Sequence, residues 1–429
     1  MCARSLLLIL LAACSGDRFN PIDLNETEEA DTDTDTDTDT DTDTDSDTDT
    51  DTDTELTDEA LFRAAVDGTL DAEDALQQIA DRGGLPVETD AGGYLFGCFC
   101  GAGDWYLAGE HEDWSGALMA QAGALHWIEV EVPSPDGSGY KFRDASAQAW
   151  LADPLARRYV YDGNGELSLV RASAAHIERW VGVTDGELQP RELRVWVPDG
   201  GVFTHLLFAH DGQNLFDPYA IWGGWRLQES LPGNMLVVGI DNTSARLDEY
   251  AHTSDLISGT EYGGLADDYL DMVDGVIRPR MVSAYGDPEV VGIMGSSMGG
   301  LVSLYAGLRD ADRYDMAISL SGTVGWGSIG YDGTTVIDLY EVAGRQDAAV
   351  FLDSGGSGSC VDSDGDGIND DAPDGADNYC ENIQLRDVLD SLGYTFEEDL
   401  WHWHEPGAAH NEAAWAARVS RPLAAFSSL

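Results

Sequence analysis

The stretch Gly295-Ser-Ser-Met-Gly-Gly300 limits what this chain can fold into more than any other. Before it, Glu289-Val-Val-Gly-Ile-Met294 reads as a short buried strand. After it, Leu301-Val-Ser-Leu-Tyr-Ala-Gly-Leu308 reads as a helix packed through small residues. A G-x-S-x-G turn between strand and helix lifts a serine hydroxyl clear of the sheet. Gly295 and Gly299 flank the turn because the backbone there is crowded and a Cβ would clash. The spacing predicts Ser297 as a nucleophile. The N–H of Met298 and the positive end of the helix then face the place where negative charge would develop. A glycine-rich turn with an incidental serine is the plainer reading of the same residues.

A net charge of −58, with only 22 Lys+Arg in 429 residues, repels nucleic acid and anionic membrane surfaces, so no nucleic-acid partner is expected. Part of that charge lies in an alternating tract from Asp31 to Thr54, which holds twelve aspartates and no cation. Such a tract cannot bury a core and repels itself, so residues 15–55 are expected to form a disordered linker. The rest is long enough for two folded domains. Ahead of the tract, one early arginine and the apolar run Leu6 to Leu11 predict an export signal over residues 1–14, too short to span a bilayer. Leu11-Ala-Ala-Cys14 resembles a bacterial lipobox. That resemblance implies cleavage before Cys14, lipidation of its thiol, and a membrane partner through that anchor. It places the chain in the bacterial cell envelope, at the outer membrane by analogy with lipoproteins lacking aspartate after the cysteine.

Residues 56–84 read as a helical segment broken at Gly68, with Leu61/Ala64/Ala65 and Leu76/Ile79/Ala80 as apolar stripes. Residues 85–175 change to short aromatic, partly alternating runs: Tyr94 to Cys98, Trp105 to Ala108, Trp127 to Val132 and Tyr140 to Arg143. This pattern predicts a small all-β, immunoglobulin-like sandwich. The order Leu107-Ala-Gly-Glu-His-Glu-Asp-Trp114, Met119, Trp127, Tyr140-Lys-Phe142 and Trp150-Leu-Ala-Asp-Pro154 resembles the early-set sandwich related to glycogen-binding modules. The resemblance implies either sugar stacking on exposed tryptophans or docking against a catalytic domain. From residue 176 to 429, continuous apolar strands alternate with helical stretches. They run at Arg191–Val197, His205–His210, Met235–Ile240, Val290–Met294, Met316–Leu320, Val350–Leu352 and Leu400–Trp403, and predict a mostly parallel sheet covered on both faces.

A serine alcohol needs a base, an orienting acid and an oxyanion hole to attack a carbonyl near neutral pH. Downstream of Ser297 the histidines are His402, His404 and His410. His410, in the loop Pro406-Gly-Ala-Ala-His-Asn-Glu412 between the last strand and last helix, is the expected base. Three segments, His210-Asp-Gly-Gln-Asn-Leu-Phe216, Gly295 to Gly300 and Pro406 to Trp415, together with Arg246 and Glu249-Tyr250, resemble the putative-esterase family of α/β-hydrolases. That family includes enterochelin esterases, feruloyl esterases and S-formylglutathione hydrolase, and the likeness covers roughly residues 186–426. It implies an α/β-hydrolase fold and a second oxyanion N–H from Gly212 or Gln213 beside that of Met298. It also implies an acid after the strand at 350–352. Asp377 is the chosen acid, with Asp353 and Asp362 as alternatives. Trp222, Trp225, Arg246 and Glu249 are expected to shape the substrate pocket.

The cysteines divide by location. Cys98 and Cys100, only two apart, have awkward geometry for a direct bond, and their state is left open. Cys360 and Cys380 bracket an acidic insertion and are the expected disulfide of an exported chain. Inside it, Asp362-x-Asp364-x-Asp366-Gly367 followed by Asp370 resembles the calcium loops of EF-hand-like and thrombospondin type 3 repeats. Hard oxygen ligands at alternate positions imply structural Ca2+ there, with no cofactor for catalysis. The twelfth position carries Pro373 in place of glutamate, so Asp371 or Asp374 would have to close the shell. The expected activity is serine-dependent hydrolysis of a small-molecule or polysaccharide ester, of siderophore type or feruloyl or acetyl type. The alternatives are an acyltransferase, or a surface glycan-binding lipoprotein on a non-catalytic hydrolase scaffold.

Overall fold

The structure, a computed structural model, describes residues 55–370 and 377–429. The export signal, Cys14, the Asp-Thr tract, and Asp371 and Asp374 lie outside the described residues. Among the described residues no helix is long and apolar enough to cross a membrane.

Two helices open the fold. Asp58–Asp67 is capped by Thr57, whose hydroxyl accepts from Ala60 N, and ends at Gly68 with φ 72°. Ala72–Arg82 is capped by the Asp71 carboxylate on the N–H groups of Glu73 and Asp74. Their apolar stripes, including Leu61, Phe62, Leu76 and Ile79, pack on Leu85, Val87, Leu95 and Leu125. Leu95 belongs to strand Tyr94–Cys98, the centre of a four-stranded sheet with Val87–Glu88, Leu125–Val130 and Ala120–Ala122. Side chains alternate along a strand. Leu95 therefore faces the helices, while Tyr94, Phe96 and Cys98 face Trp105, Leu107, Tyr140 and Phe142 of a second sheet.

That second sheet does not stop at the end of the all-β region. Trp105–Gly109, Gly139–Asp144, Gly165–Leu169 and Arg158–Asp162 run on through His176–Val183 and Arg191–Val197. The order continues through Met235–Ile240, His205–His210, Val290–Ser296, Met316–Leu320 and Ala349–Ser354 to an edge at Leu400–His404. Pairing is antiparallel as far as Met235–Ile240 and parallel from there to the edge. The junction is narrow: Ile177 pairs Tyr159 and Glu178 pairs Arg158. Arg157 reinforces it, donating to Arg179 O at 2.6 Å and Ala80 O at 2.7 Å, with its guanidinium 4.0 Å above the Trp180 ring. One side chain thus ties the second helix, the all-β region and strand His176–Val183 together.

Two apolar cores cover the faces of the parallel part, one on Leu206, Phe208 and Ile293, the other on Leu207, Met294 and Phe351. The helix Met298–Arg309 lies in the first, admitted closely because Gly307 faces Ala317 Cβ. The hairpin Ser254–Ile257/Thr260–Gly263 was not anticipated. Its buried Asp255 accepts N–H bonds from Gly327, Ile329, Gly330 and Tyr331, and so shapes the loop that follows strand Met316–Leu320.

Candidate active site

Ser297 sits where strand Val290–Ser296 meets helix Met298–Arg309, with φ 56° and ψ −122°. A non-glycine residue in that region is strained and persists only where its surroundings over-determine it. They do so here. A Cβ on Gly295 would lie 2.5 Å from Gly299 C, and one on Gly300 2.5 Å from Ser319 Oγ. Ser297 N donates to Leu320 O at 3.0 Å, and Thr323 N donates to Ser297 O at 3.2 Å. Met298, first residue of the helix, has its N–H at the end where backbone donors lack intrahelical partners.

His410 is held in the loop after strand Leu400–His404. Gly356 N donates to Ala408 O, Gly407 N donates to Gly356 O, and Asn411 caps helix Glu412–Ala416. The Trp415 ring meets the imidazole edge-on at 5.0 Å. His410 Nδ1 lies 2.6 Å from Asp377 Oδ1. Its Nε2 is buried with no hydrogen-bond partner among the described residues. An imidazole that donates from Nδ1 to a carboxylate keeps its Nε2 lone pair free to take a proton.

Asp377 is fully buried. Its second oxygen accepts from Gly355 N at 2.5 Å, Ser321 Oγ at 2.7 Å and Arg418 Nη2 at 3.3 Å. Of the two alternative acids, Asp353 holds both oxygens on Arg418 Nε at 2.7 and 2.8 Å, and Asp362 is exposed. Neighbouring Asn378 turns to the serine. Its amide donates to Ser321 O at 2.9 Å and to Thr323 Oγ1 at 3.2 Å, and Thr323 Oγ1 is 3.4 Å from Ser297 Oγ. The dipeptide Asp377-Asn378 therefore reaches the histidine with one side chain and the serine, through Thr323, with the next.

The turn Gly212–Asn214 faces the other side. Asp211 before it has φ 59°. Its carboxylate takes Arg246 Nε at 2.7 Å, Arg246 Nη2 at 2.8 Å and Asn242 Nδ2 at 2.5 Å. Burial opposes ionisation there, but the Arg246 guanidinium and these hydrogen bonds hold the carboxyl below its ordinary value. A Cβ on Gly212 would lie 2.6 Å from Asp241 Oδ1 and Gly239 C, so only glycine lets the turn come this close to the sheet. Gln213 Oε1 accepts from Asn242 N at 3.1 Å. Beneath, burial pushes His210 down to about 3, and its Nδ1 is 2.8 Å from Tyr269 Oη.

Of the four residues expected to line a pocket, only Trp222 faces outward, 63% exposed. Trp225 is buried with its ring 6.0 Å from that of Trp415. Arg246 lies under the turn on Asp211. Glu249 is 1% exposed and pairs with Arg191 at 2.9 and 3.0 Å. The expectation for these three is corrected: Trp225 is packed inside, Arg246 is engaged by Asp211, and the Arg191–Glu249 pair, its side chains 1% exposed on each side, is internal support. His402, half-buried, is pushed down to about 4 by desolvation, and His404 stacks on Tyr379 at 4.3 Å.

Glu412, Thr323, Asn378, Ser321 and Arg418 were missed as site residues by the sequence reading. Glu412 follows His410 by two positions and receives Asn214 Nδ2 from the Gly212 turn at 3.3 Å. Burial pushes its carboxyl up to about 7, above the unfolded value of about 4.3. Its stabilising contribution is therefore complete below the unfolded value and lost as pH rises through about 7. Glu412→Gln removes that loss. Between about pH 5 and about pH 8 the stability difference should move in the variant's favour by about 1–2 kcal/mol. Paired thermal melts check this, and a gap that does not change with pH contradicts it.

Cys360 and Cys380 form a disulfide with Cα atoms 5.2 Å apart, pinning the acidic loop to helix Tyr379–Ser391 just beyond Asp377. Cys98 and Cys100, left unassigned from sequence, are also joined, their Cα atoms at the same 5.2 Å, inside the bridgeable range. In the acidic loop, Asp362, Asp364 and Asp366 each offer one carboxylate oxygen, and all three lie within 4.8 Å of one another. Asp370 stands apart from these three, its carboxylate on the N–H and hydroxyl of Ser363.

The family model described as Putative esterase matches residues 189–426. A curated relative, the uncharacterized protein YbbA of Bacillus subtilis (strain 168), is 29% identical over 134 residues, 29% of this chain and 52% of its own. The chain thus spans about half the length of that relative. Among solved structures, ferric enterobactin esterase of Salmonella typhimurium has 15% identity and a TM-score of 0.44, covering 81% of this chain and 96% of its own. An IroE-like serine hydrolase of Shewanella oneidensis has 19% identity and a TM-score of 0.44, over 58% and 80%. The siderophore hydrolase EstA of Aspergillus nidulans has 16% and 0.44, over 59% and 94%. At these TM-scores the overlaps say nothing about this chain's substrate.

Proposed function

Because the chain belongs to the Putative esterase family, a family of carboxylic ester hydrolases, we propose that it is an exported serine esterase working through an acyl-enzyme. Ser297 Oγ attacks the ester carbonyl while His410 Nε2 takes its proton. Asp377 keeps the imidazole in the tautomer that can accept it. The carbonyl oxygen becomes an oxyanion held by the N–H groups of Met298 and of Gly212 or Gln213. The tetrahedral adduct collapses, the C–O bond to the alcohol breaks, and the imidazolium returns its proton to the leaving alkoxide. Water repeats the sequence on the acyl-enzyme and releases the acid. The observation that carries this reading is the arrangement around Asp377-Asn378, with one residue on His410 and the next on Thr323 beside Ser297.

The proposed substrate is an extracytoplasmic ester of siderophore type, or a feruloylated or acetylated polysaccharide, with exposed Trp222 at the site's rim as a surface for its ring. The apolar run before Cys14 supports lipid anchoring in the cell envelope, with the Asp-Thr tract as tether. The early-set-like sandwich then serves as a docking domain, consistent with its sheet joining the catalytic one. No cofactor enters the reaction. Three carboxylate oxygens within 4.8 Å of one another fit Ca2+, whose oxygen ligands stand at about 2.3–2.6 Å, in a structural role beside Cys360–Cys380.

The test is a panel of esters: short-chain p-nitrophenyl esters, a catecholate siderophore ester, feruloyl sugars and acetylated polysaccharide. The expected result is hydrolysis of the p-nitrophenyl ester. One natural class should stand above the others by at least about ten-fold in kcat/KM. Folded protein inactive on every member contradicts the proposal.

A further inference from the structure

We propose that Thr323 is a catalytic residue that hydrogen-bonds the attacking oxygen of Ser297, and that Asn378 is the positioning residue that aims it. The inference rests on the esterase reading of Ser297. Thr323 is 4% exposed and stands just after strand Met316–Leu320, with its hydroxyl 3.4 Å from Ser297 Oγ, long for an O–H···O bond.

The segment does not need that hydroxyl to keep its shape. Its backbone is already pinned at four points. Ser321 N donates to Asp353 O at 2.7 Å, and Thr323 N donates to Ser297 O. Ser321 O accepts from Asn378 Nδ2, and Gly322 O accepts from Asn382 Nδ2 at 2.9 Å. Valine keeps the shape and removes only the hydroxyl, at the cost of the acceptor for one buried N–H of Asn378. What remains for the hydroxyl is its pair of contacts, with Asn378 on one side and Ser297 on the other.

Asn378 decides which way that hydroxyl points. Its amide nitrogen can only donate, so it occupies a lone pair of Thr323 Oγ1. One lone pair of Thr323 Oγ1 remains beside its proton, and we assign that proton to Ser297 Oγ, which accepts. Ser297 keeps its own proton available for His410, whose Nε2 has no hydrogen-bond partner among the described residues, Ser297 Oγ included. Asn378 holds this position from a left-handed backbone, φ 53°, secured by Asn382 Nδ2 on its carbonyl at 2.6 Å. The residue after the acid thus orients the nucleophile, as the acid orients the base.

The experiment compares wild type with Thr323→Val, Thr323→Ser and Asn378→Gly, the glycine keeping the left-handed backbone available, and with the Thr323→Val/Asn378→Gly pair. It reads kcat and KM on a short-chain p-nitrophenyl ester, the rate of Ser297 phosphonylation by a fluorophosphonate, and thermal melting. One lost hydrogen bond predicts kcat and labelling rate down roughly five- to ten-fold in Thr323→Val, with KM within about two-fold. Thr323→Ser should restore most of the rate, and Asn378→Gly should cost less once Thr323 is valine than in wild type, the remainder being its bond to Ser321 O. Thr323→Val at wild-type rate, loss that serine does not rescue, or additive effects in the pair overturns the inference while leaving the esterase reading intact. Folded wild type that neither turns over ester nor labels at Ser297 overturns both.

Discussion

Ser297→Ala and His410→Ala each lose at least about 10⁴-fold in kcat on any ester that wild type hydrolyses, and the double variant loses little more. Removing the serine removes the hydroxyl held at the strained φ of 56°. Removing the histidine leaves an alcohol with no base. Each change alone disables the same step, so the losses do not add. Neither substitution should unfold the chain. Ser297 has φ 56°, so an alanine inherits the strain without adding to it. His410 lies in a loop whose backbone bonds run through Gly356, Gly407 and Ala408. Steady-state rates with a melting check on each variant make the measurement. Two folded variants with near-wild-type turnover would remove Ser297 and His410 from the chemistry.

Arg418→Ala should lower stability by about 3–5 kcal/mol and reduce activity with it. Arg418 is the cation shared by two buried carboxylates. It takes both oxygens of Asp353 and also reaches Asp377 and Ser321 Oγ. Burial pushes Asp353 up to about 7 against the pull of Arg418, so its stabilising share is complete below the unfolded value and lost as pH rises through about 7. Without the arginine the loss deepens, and the deficit of the variant grows between about pH 5 and about pH 8. Lysine should rescue poorly, because a single ammonium cannot reproduce the fork that spans Asp353 and Ser321. Urea unfolding at the two pH values checks this. An Arg418→Ala variant as stable as wild type at both would mean that the buried pair is not what secures the acid.

The parallel half of the sheet was legible because burial on both faces writes each strand as one unbroken apolar run. His205–His210, Met235–Ile240 and Met316–Leu320 have the bounds their runs predict. Ser297 was legible because Gly295 is demanded by backbone contact with Gly299 only four residues on. The continuity of the two sheets was not, because Ile177↔Tyr159 and Glu178↔Arg158 are cross-strand pairings with no local pattern of their own. Roles assigned by residue type failed where burial decided them. Arg246 and Glu249 look like pocket residues by chemistry, yet each is matched to an opposite charge under the Gly212 turn. Thr323 and Arg418 carry no spacing signal either: their partners are distant in the chain, and only folding brings them together.

The central claim is that Ser297 is a nucleophile activated by His410. The measurement that bears on it most directly is active-site titration with a fluorophosphonate, followed by mass mapping of the adduct. The account predicts one equivalent of label per folded chain, on Ser297, absent in Ser297→Ala and slowed by at least about 10³-fold in His410→Ala. Label spread over other serines, or folded wild type that takes none, would contradict it.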